Sequence, residues 1–196
     1  MSTHTGVVLA GGFATRFGER DKTLATLDGR PLLAHAADGL APAVEHVVVS
    51  CREAQIADFE RVLDDVIFCP DPTPDEGPLA GLDAALDSVD SGTLALVTAD
   101  MPCVPTALYD SLFDALDGVD CVAIQSDGFL QPAPAVFETA ALRASVATRR
   151  DSGDARLRSV FEDLDTEHWP AERVTERWGE RALADVNTRE DLAALR

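Results

Sequence analysis

The stretch "GVVLAGGFATRFGERDKTL", residues Gly6 to Leu24, sets the reading of the whole chain. It opens on an apolar run, GVVLA, of the kind that forms a strand buried on both faces. Two adjacent glycines follow, and then a polar segment carrying Lys22. That residue is the only lysine among 196 residues, beside fifteen arginines. In an open α/β sheet a ligand sits beyond the carboxyl ends of the strands, so a loop leaving the first strand is where a nucleotide would be held. Glycines there permit positive φ and leave room for phosphate oxygens to reach backbone N–H groups. Lysine is a compact point charge and arginine a fork, so Lys22 and Arg16 together can neutralise a triphosphate.

Outward from this loop, apolar runs alternate with amphipathic stretches along the whole chain, the pattern of βαβ units and a mainly parallel sheet. The expected architecture is α/β, a three-layer sandwich. Further strands are expected at EHVVVS, VIFCPD, TLALVTAD, DCVAIQ and APAVFE. Helices are expected at PLLAHAADGLA, at EAQIADFERVL with Ile56, Phe59 and Leu63 spaced for burial, at LAGLDAALDSV, and at PTALYDSLFDALD, where Pro105 presets a first turn. The stretch LRASVATRRDSGDARLRSVFEDL reads as two helical pieces broken near Ser152 and Gly153. The ending ALADVNTREDLAALR reads as a short strand, a turn and a helix capped by Asn187 or Thr188.

Composition narrows the partners. A chain of this length, 46% hydrophobic, fills the core of one domain. Its net charge of −19 repels phosphate backbones and anionic lipid, so neither nucleic acid nor a membrane surface is an expected partner. No run of about eighteen apolar residues appears, and Met1 to Gly6 lacks both a basic and an apolar signal region, so the expected location is the cytoplasm. Cys51, Cys69, Cys103 and Cys121 contain no C-x-x-C pair and read as buried thiols. The four histidines have no metal or triad spacing. So acidic and lysine-poor a composition points to a halophilic setting, in which a dense carboxylate surface stays hydrated.

Three glycine-rich loops compete for the first segment. The dinucleotide fingerprint fails because Gly11 and Gly12 are adjacent and no third glycine falls in place. The P-loop fails because Asp21, and not glycine, precedes Lys22. What remains, L-A-G-G-x-x-x-R-x-G-x-x-x-K, resembles the signature of GT-A-like nucleotidyltransferases. Within that class the chain most resembles the molybdenum cofactor guanylyltransferase family. The likeness extends to PDPTPDEGPLAGL (residues 70–82), LVTADMPCVP, QPAPAVF, GDARLRSVFEDL and DVNTREDL.

The resemblance implies transfer of GMP from GTP to the terminal phosphate of molybdopterin cofactor, with release of pyrophosphate. It implies a Rossmann-like nucleotide-binding half over about residues 1–105 and an acceptor-binding half over about 106–196. Leu9, Ala10, Gly11 and Gly12 would line the nucleotide, Lys22 would meet its phosphates, and Asp71 would lie near the guanosine. The loop Gly77 to Gly81 would shape the base pocket, Asp100 would bind Mg²⁺, and Asn187 would face the pterin. Transient contact with molybdoenzymes or their chaperones is also implied. Thr23, Ser50 and Cys51 depart from the family pattern and leave the base and ribose contacts open.

Each of these residues has a plainer reading. Lys22 is the chance survivor of a lysine-poor surface, Arg16 a surface arginine, Asp71 an ordinary turn former, and Asn187 a helix cap. Asp100 ends the most apolar strand, where a carboxylate needs a partner or a role as N-cap for the next helix. Arg149, Arg150, Arg156 and Arg158 either meet an acceptor phosphate or pair with Asp151, Asp154 and Glu162. Alternatives for the activity are a cobinamide-phosphate guanylyltransferase, a molybdopterin cytidylyltransferase, and a non-catalytic nucleotide-binding regulatory domain.

Overall fold

The computed structural model describes residues 3–11, 21–71 and 76–196. In its first half lie β1 (His4–Leu9), a small hairpin of β2 (Thr26–Leu27) and β3 (Arg30–Pro31), α1 (Leu32–Leu40), β4 (His46–Cys51), α2 (Ile56–Phe59), β5 (Val66–Pro70), α3 (Pro78–Leu86) and β6 (Thr93–Thr98). The second half holds α4 (Thr106–Asp114), β7 (Cys121–Ser126), β8 (Phe129–Glu138), α5 (Thr139–Asp151), β9 (Thr166–Pro170), α6 (Ala171–Trp178) and α7 (Arg189–Ala194).

Seven strands form one sheet in the order β5-β4-β1-β6-β8-β7-β9. Every neighbouring pair is parallel except the two made by β8, which runs against both β6 and β7. The exception has a local cause. Asp127 and Gly128 both take positive φ (+51° and +79°), the two-residue turn whose twist suits a hairpin and which can only reverse the chain. Asp28 and Gly29 repeat the device between β2 and β3.

Alternate strand residues face opposite layers. Val8, Val49 and Val97 pack with Leu33, Leu108 and Val174 of α1, α4 and α6. Val7, Val48 and Leu96 pack with Leu82 and Val146 of α3 and α5. The result is the expected three-layer sandwich, and cover on both faces is why the central strands read as unbroken apolar runs. A smaller cluster joins Leu27 and Leu32 to Val186, Leu192 and Leu195, anchoring the C-terminal helix beside the hairpin.

Several elements differ from the sequence reading. Residues 53–63 form a 3-10 turn (Glu53–Gln55) and one short helix, because the Gln55 side chain folds back to accept from Arg52 N at 2.8 Å. The second piece after Gly153 is also 3-10 (Leu157–Asp163). The segment ALADV forms no strand: Glu180–Leu183 is a 3-10 turn, and Val186 N instead donates to Asp100 O at 2.8 Å. Strand β9 and helix α6 were not legible, since between them only Trp169 and Val174 are buried. A polar edge strand carries too little alternation to be recognised. No described helix is long and apolar enough to cross a membrane.

Candidate active site

Strands β1, β4, β5 and β6 run parallel, so their last residues Leu9, Cys51, Pro70 and Thr98 all lie at one edge of the sheet. A cavity of about 400 Å³ opens there, within the usual range for a small-molecule site. Its walls hold Leu9, Ala10 and Gly11 after β1, Lys22 and Thr23, Asp71 after β5, Gly77, Pro78 and Gly81 of the α3 entry, and Asp100 after β6. Residues far apart in sequence meet because the sheet aligns their strand ends. Gly12 and Arg16, also expected in the site, lie outside the described residues.

Lys22 is held rather than loose. Its Nζ donates to Asp100 Oδ2 at 2.7 Å and to Asn187 Oδ1 at 3.3 Å, and the two charged side chains are only 16% and 22% exposed. The backbone beneath it is fixed by Asp21, the N-cap of the 3-10 turn Lys22–Leu24. Asp21 Oδ1 accepts from Thr23 N at 3.0 Å and from Thr23 Oγ1 at 2.7 Å. Its second oxygen accepts from Gln55 Nε2 and faces Arg52 Nη2 at 3.6 Å. Gln55 Nε2 also donates to Ala10 O at 3.3 Å, so one buried amide ties the lysine turn to the loop after β1. Asp21, Gln55 and Arg52 were missed by the sequence reading, because nothing local marks a buried glutamine as a brace. The hydroxyl of Thr23, a departure from the family pattern, is absorbed by this cap.

Asn187 does not cap α7. Thr188 does, with Asp191 N donating to its Oγ1 at 3.1 Å, while Asn187 Nδ2 donates to Asp185 Oδ2 at 2.6 Å and turns its carbonyl to Lys22. Asp100 likewise does not cap α4, whose N-cap is Pro105. Its carboxylate opens on the cavity, where it is a hard oxygen donor. Among the described residues no three His, Cys, Asp or Glu side chains converge. A magnesium ion fits this donor set, since it is usually held by one or two carboxylates plus substrate phosphates and water.

At the far wall, Gly81 leaves room by necessity. A Cβ built there would lie 2.8 Å from Ser50 Oγ and 3.8 Å from Asp71 Oδ2. Ser50 therefore belongs to the site, where the sequence reading had noted only a departure from the family pattern.

Three of the four arginines between 149 and 158 are ion-paired. Arg149 meets Glu162 at 2.6 Å and also Asp163, Arg150 meets Asp83 at 3.2 Å and Glu76 at 3.7 Å, and Arg156 meets Asp154 at 2.6 Å. The hydrogen bonds from Arg156 hold the Asp154 carboxyl well below the usual range. Arg158 lies instead over the Phe129 ring, 5.0 Å from its centre. All four cysteines are free thiols, Cys51 and Cys121 fully buried and the other two partly so. Burial pushes Cys51 up to about 12, so its thiol stays protonated.

Residues 6–169 match the MobA-like NTP transferase domain family. The chain is 32% identical over 198 residues to a protein of Natronomonas pharaonis named "Probable molybdenum cofactor guanylyltransferase", covering 100% of this chain and 98% of that one. It is 35% identical over 206 residues to a molybdenum cofactor guanylyltransferase of Burkholderia orbicola, covering 97% and 94%. In structure it resembles the molybdopterin-guanine dinucleotide biosynthesis protein A of Archaeoglobus fulgidus, with a TM-score of 0.79 at 24% identity over 97% and 96% of the two chains. With the family model matched over residues 6–169 and relatives 32% and 35% identical along nearly the whole chain, this chain belongs to the MobA-like NTP transferase domain family.

Proposed function

We propose that this protein transfers GMP from GTP to the terminal phosphate of molybdopterin cofactor, releasing pyrophosphate. The observation that carries the reading is the convergence of Leu9 to Gly11, Lys22, Gly81 and Asp100 on one cavity at the carboxyl edge. The names of the relatives supply the acceptor.

In this reading an oxygen of the acceptor phosphate attacks the α-phosphorus of GTP in line. The bond from the α-phosphorus to the β-bridging oxygen breaks, and its electron pair leaves with pyrophosphate. The protein contributes no nucleophile, and its work is positioning and charge neutralisation. Lys22, held over the cavity by Asp100 and Asn187, meets the phosphates and balances charge on the leaving group, with Arg16 as its proposed companion. Backbone of Leu9 to Gly12 lines the nucleotide. The segment from Gly77 to Gly81, with Gly77, Pro78 and Gly81 on the cavity, would shape the base pocket, and Asp71, an acceptor when ionised, suits a donor of the guanosine. Asp100 would hold Mg²⁺, which when bound supplies further neutralisation of phosphate oxygens. Asn187 faces the acceptor, and residues from about 106 onward form the acceptor half.

The composition, with 35 carboxylates against 16 basic side chains, supports a high-salt working medium in the cytoplasm. The product, a dinucleotide cofactor, needs a receiver, which supports passing contact with molybdoenzymes or their chaperones. The test is pyrophosphate release at high KCl with Mg²⁺, comparing GTP, CTP and ATP with and without molybdopterin cofactor. Release that requires GTP and the pterin together is expected. Release driven by CTP would move the reading to a cytidylyltransferase, and none with any nucleotide would end it.

A further inference from the structure

The hairpin of β7 and β8 reaches past the rest of the sheet on the side of the cavity. The last residue of β6 paired with β8 is Leu96, opposite Ala135, so Phe129 to Pro134 continue beyond it alongside the segment that carries Asp100. A bulge at Pro132 to Pro134 takes up part of that length, since Ala123 faces Ala135 while Ile124 faces Gln131, so Phe129 stands three pairs beyond Ala135, roughly 10 Å farther toward the carboxyl edge. At the tip stands Phe129, 58% exposed and, with Ile67, one of two large apolar side chains in the open among the described residues.

Arg158 covers one face of that ring. Among the described residues it forms no ion pair, unlike Arg149, Arg150 and Arg156 of the same stretch. Neither Arg158 nor Phe129 lines the cavity, but the stretch that carries Arg158 abuts its wall. Ala155 abuts Gly77 of the cavity wall, since a Cβ at Gly77 would lie 3.4 Å from Ala155 O. From there Leu157 and Val160 pin the 3-10 stretch Leu157–Asp163 into the core and aim Arg158 outward. An exposed aromatic face beside a guanidinium that no described carboxylate pairs offers stacking and hydrogen-bond donors to a flat, oxygen- and nitrogen-bearing ring system. In a protein of net charge −19, a local cation also offsets the repulsion that an anionic acceptor meets.

We propose that Phe129 and Arg158 bind the ring system of the acceptor, holding it against the hairpin while its phosphate end reaches Lys22. This rests on the reading under Proposed function for the identity of the acceptor. Phe129→Ala and Arg158→Ala are surface changes expected to melt like the wild type. Each is expected to raise the KM for molybdopterin cofactor by about tenfold, with the KM for GTP and the kcat at saturation within about twofold of wild type. Phe129→Tyr, which keeps the ring, is expected to restore the acceptor KM. An unchanged acceptor KM in both alanine variants overturns the inference. A wild type that transfers GMP only to some other phosphate acceptor defeats the Proposed function instead, and the same comparison with that acceptor decides the hairpin surface. A wild type inactive with every acceptor overturns both.

Discussion

Lys22 Nζ donates to Asn187 Oδ1 at 3.3 Å, so the only lysine and the only asparagine of the chain meet across 165 positions. The contact is supported from both sides. Asp185 orients the amide, Val186 N is bonded to Asp100 O, and Asp100 Oδ2 holds the ammonium. The C-terminal segment is thereby tied to both the lysine turn and the end of β6.

Removing either charge of the Lys22–Asp100 pair separates catalysis from stability. Under the proposed function Lys22→Ala removes a cation from the phosphates and Asp100→Ala removes the carboxylate that holds Lys22 and would hold Mg²⁺, so each is expected to lower turnover by about 10²-fold or more. The stability cost is expected near 1 kcal/mol, since the surviving partner opens on the cavity and is rehydrated. Lys22→Arg is expected to recover little activity, as a planar fork does not replace a point charge. Pyrophosphate release read beside thermal melts checks this, and wild-type turnover in both alanine variants would remove the site.

Gly81→Ala is expected to raise the KM for GTP while leaving the melting temperature unchanged or higher. The new Cβ presses on Ser50 Oγ at 2.8 Å. Alanine in a helix is favoured over glycine by about 1 kcal/mol, which offsets the crowding in the fold but not in the cavity. Adding Ser50→Ala removes the clashing oxygen, so the double variant should recover much of the GTP affinity. A double variant no better than Gly81→Ala would show that the crowding lies elsewhere.

The cap of α7 predicts a pH dependence. The Thr188 side chain, then the backbone N–H groups of Asn187 and Thr188, with the charge of Lys22 nearby, hold the Asp191 carboxyl below its ordinary range. A folded-state pKa below the unfolded one stabilises the fold above the unfolded value, and that contribution disappears as pH falls through the folded value. Asp191→Asn should therefore melt below wild type at pH 7, and the gap should narrow below about pH 4. Melts across that range decide it, and a gap constant with pH would refute the assignment.

Tyr109 is fully buried, and its hydroxyl has no hydrogen-bond partner among the described residues. Burial also pushes its phenol well above the ordinary range. An orphaned buried donor costs about 1–3 kcal/mol, so Tyr109→Phe should leave stability unchanged or raised, contrary to the usual sign for a core substitution. Urea unfolding measures the change, and a loss comparable to a cavity mutation would mean that the hydroxyl has an unseen partner.

The amino-acid sequence by itself determined the strands β1, β4 and β6 and the helices α1, α3 and α4, and it singled out Lys22, Asp100 and Asn187 as candidates, which the fold brings into contact. These follow from local physics: unbroken apolar runs, helical spacing, and residue types placed at strand ends. Only the tertiary structure decided that β8 runs antiparallel, that Gln55 and Asp21 brace the lysine turn, that Ser50 enters the site beside Gly81, and that Arg158 alone of its neighbours is left for a ring. Each of these depends on which strand ends the sheet brings side by side, and on which carboxylate reaches a given arginine first. Such pairings join residues tens of positions apart, and no periodicity along the chain encodes them.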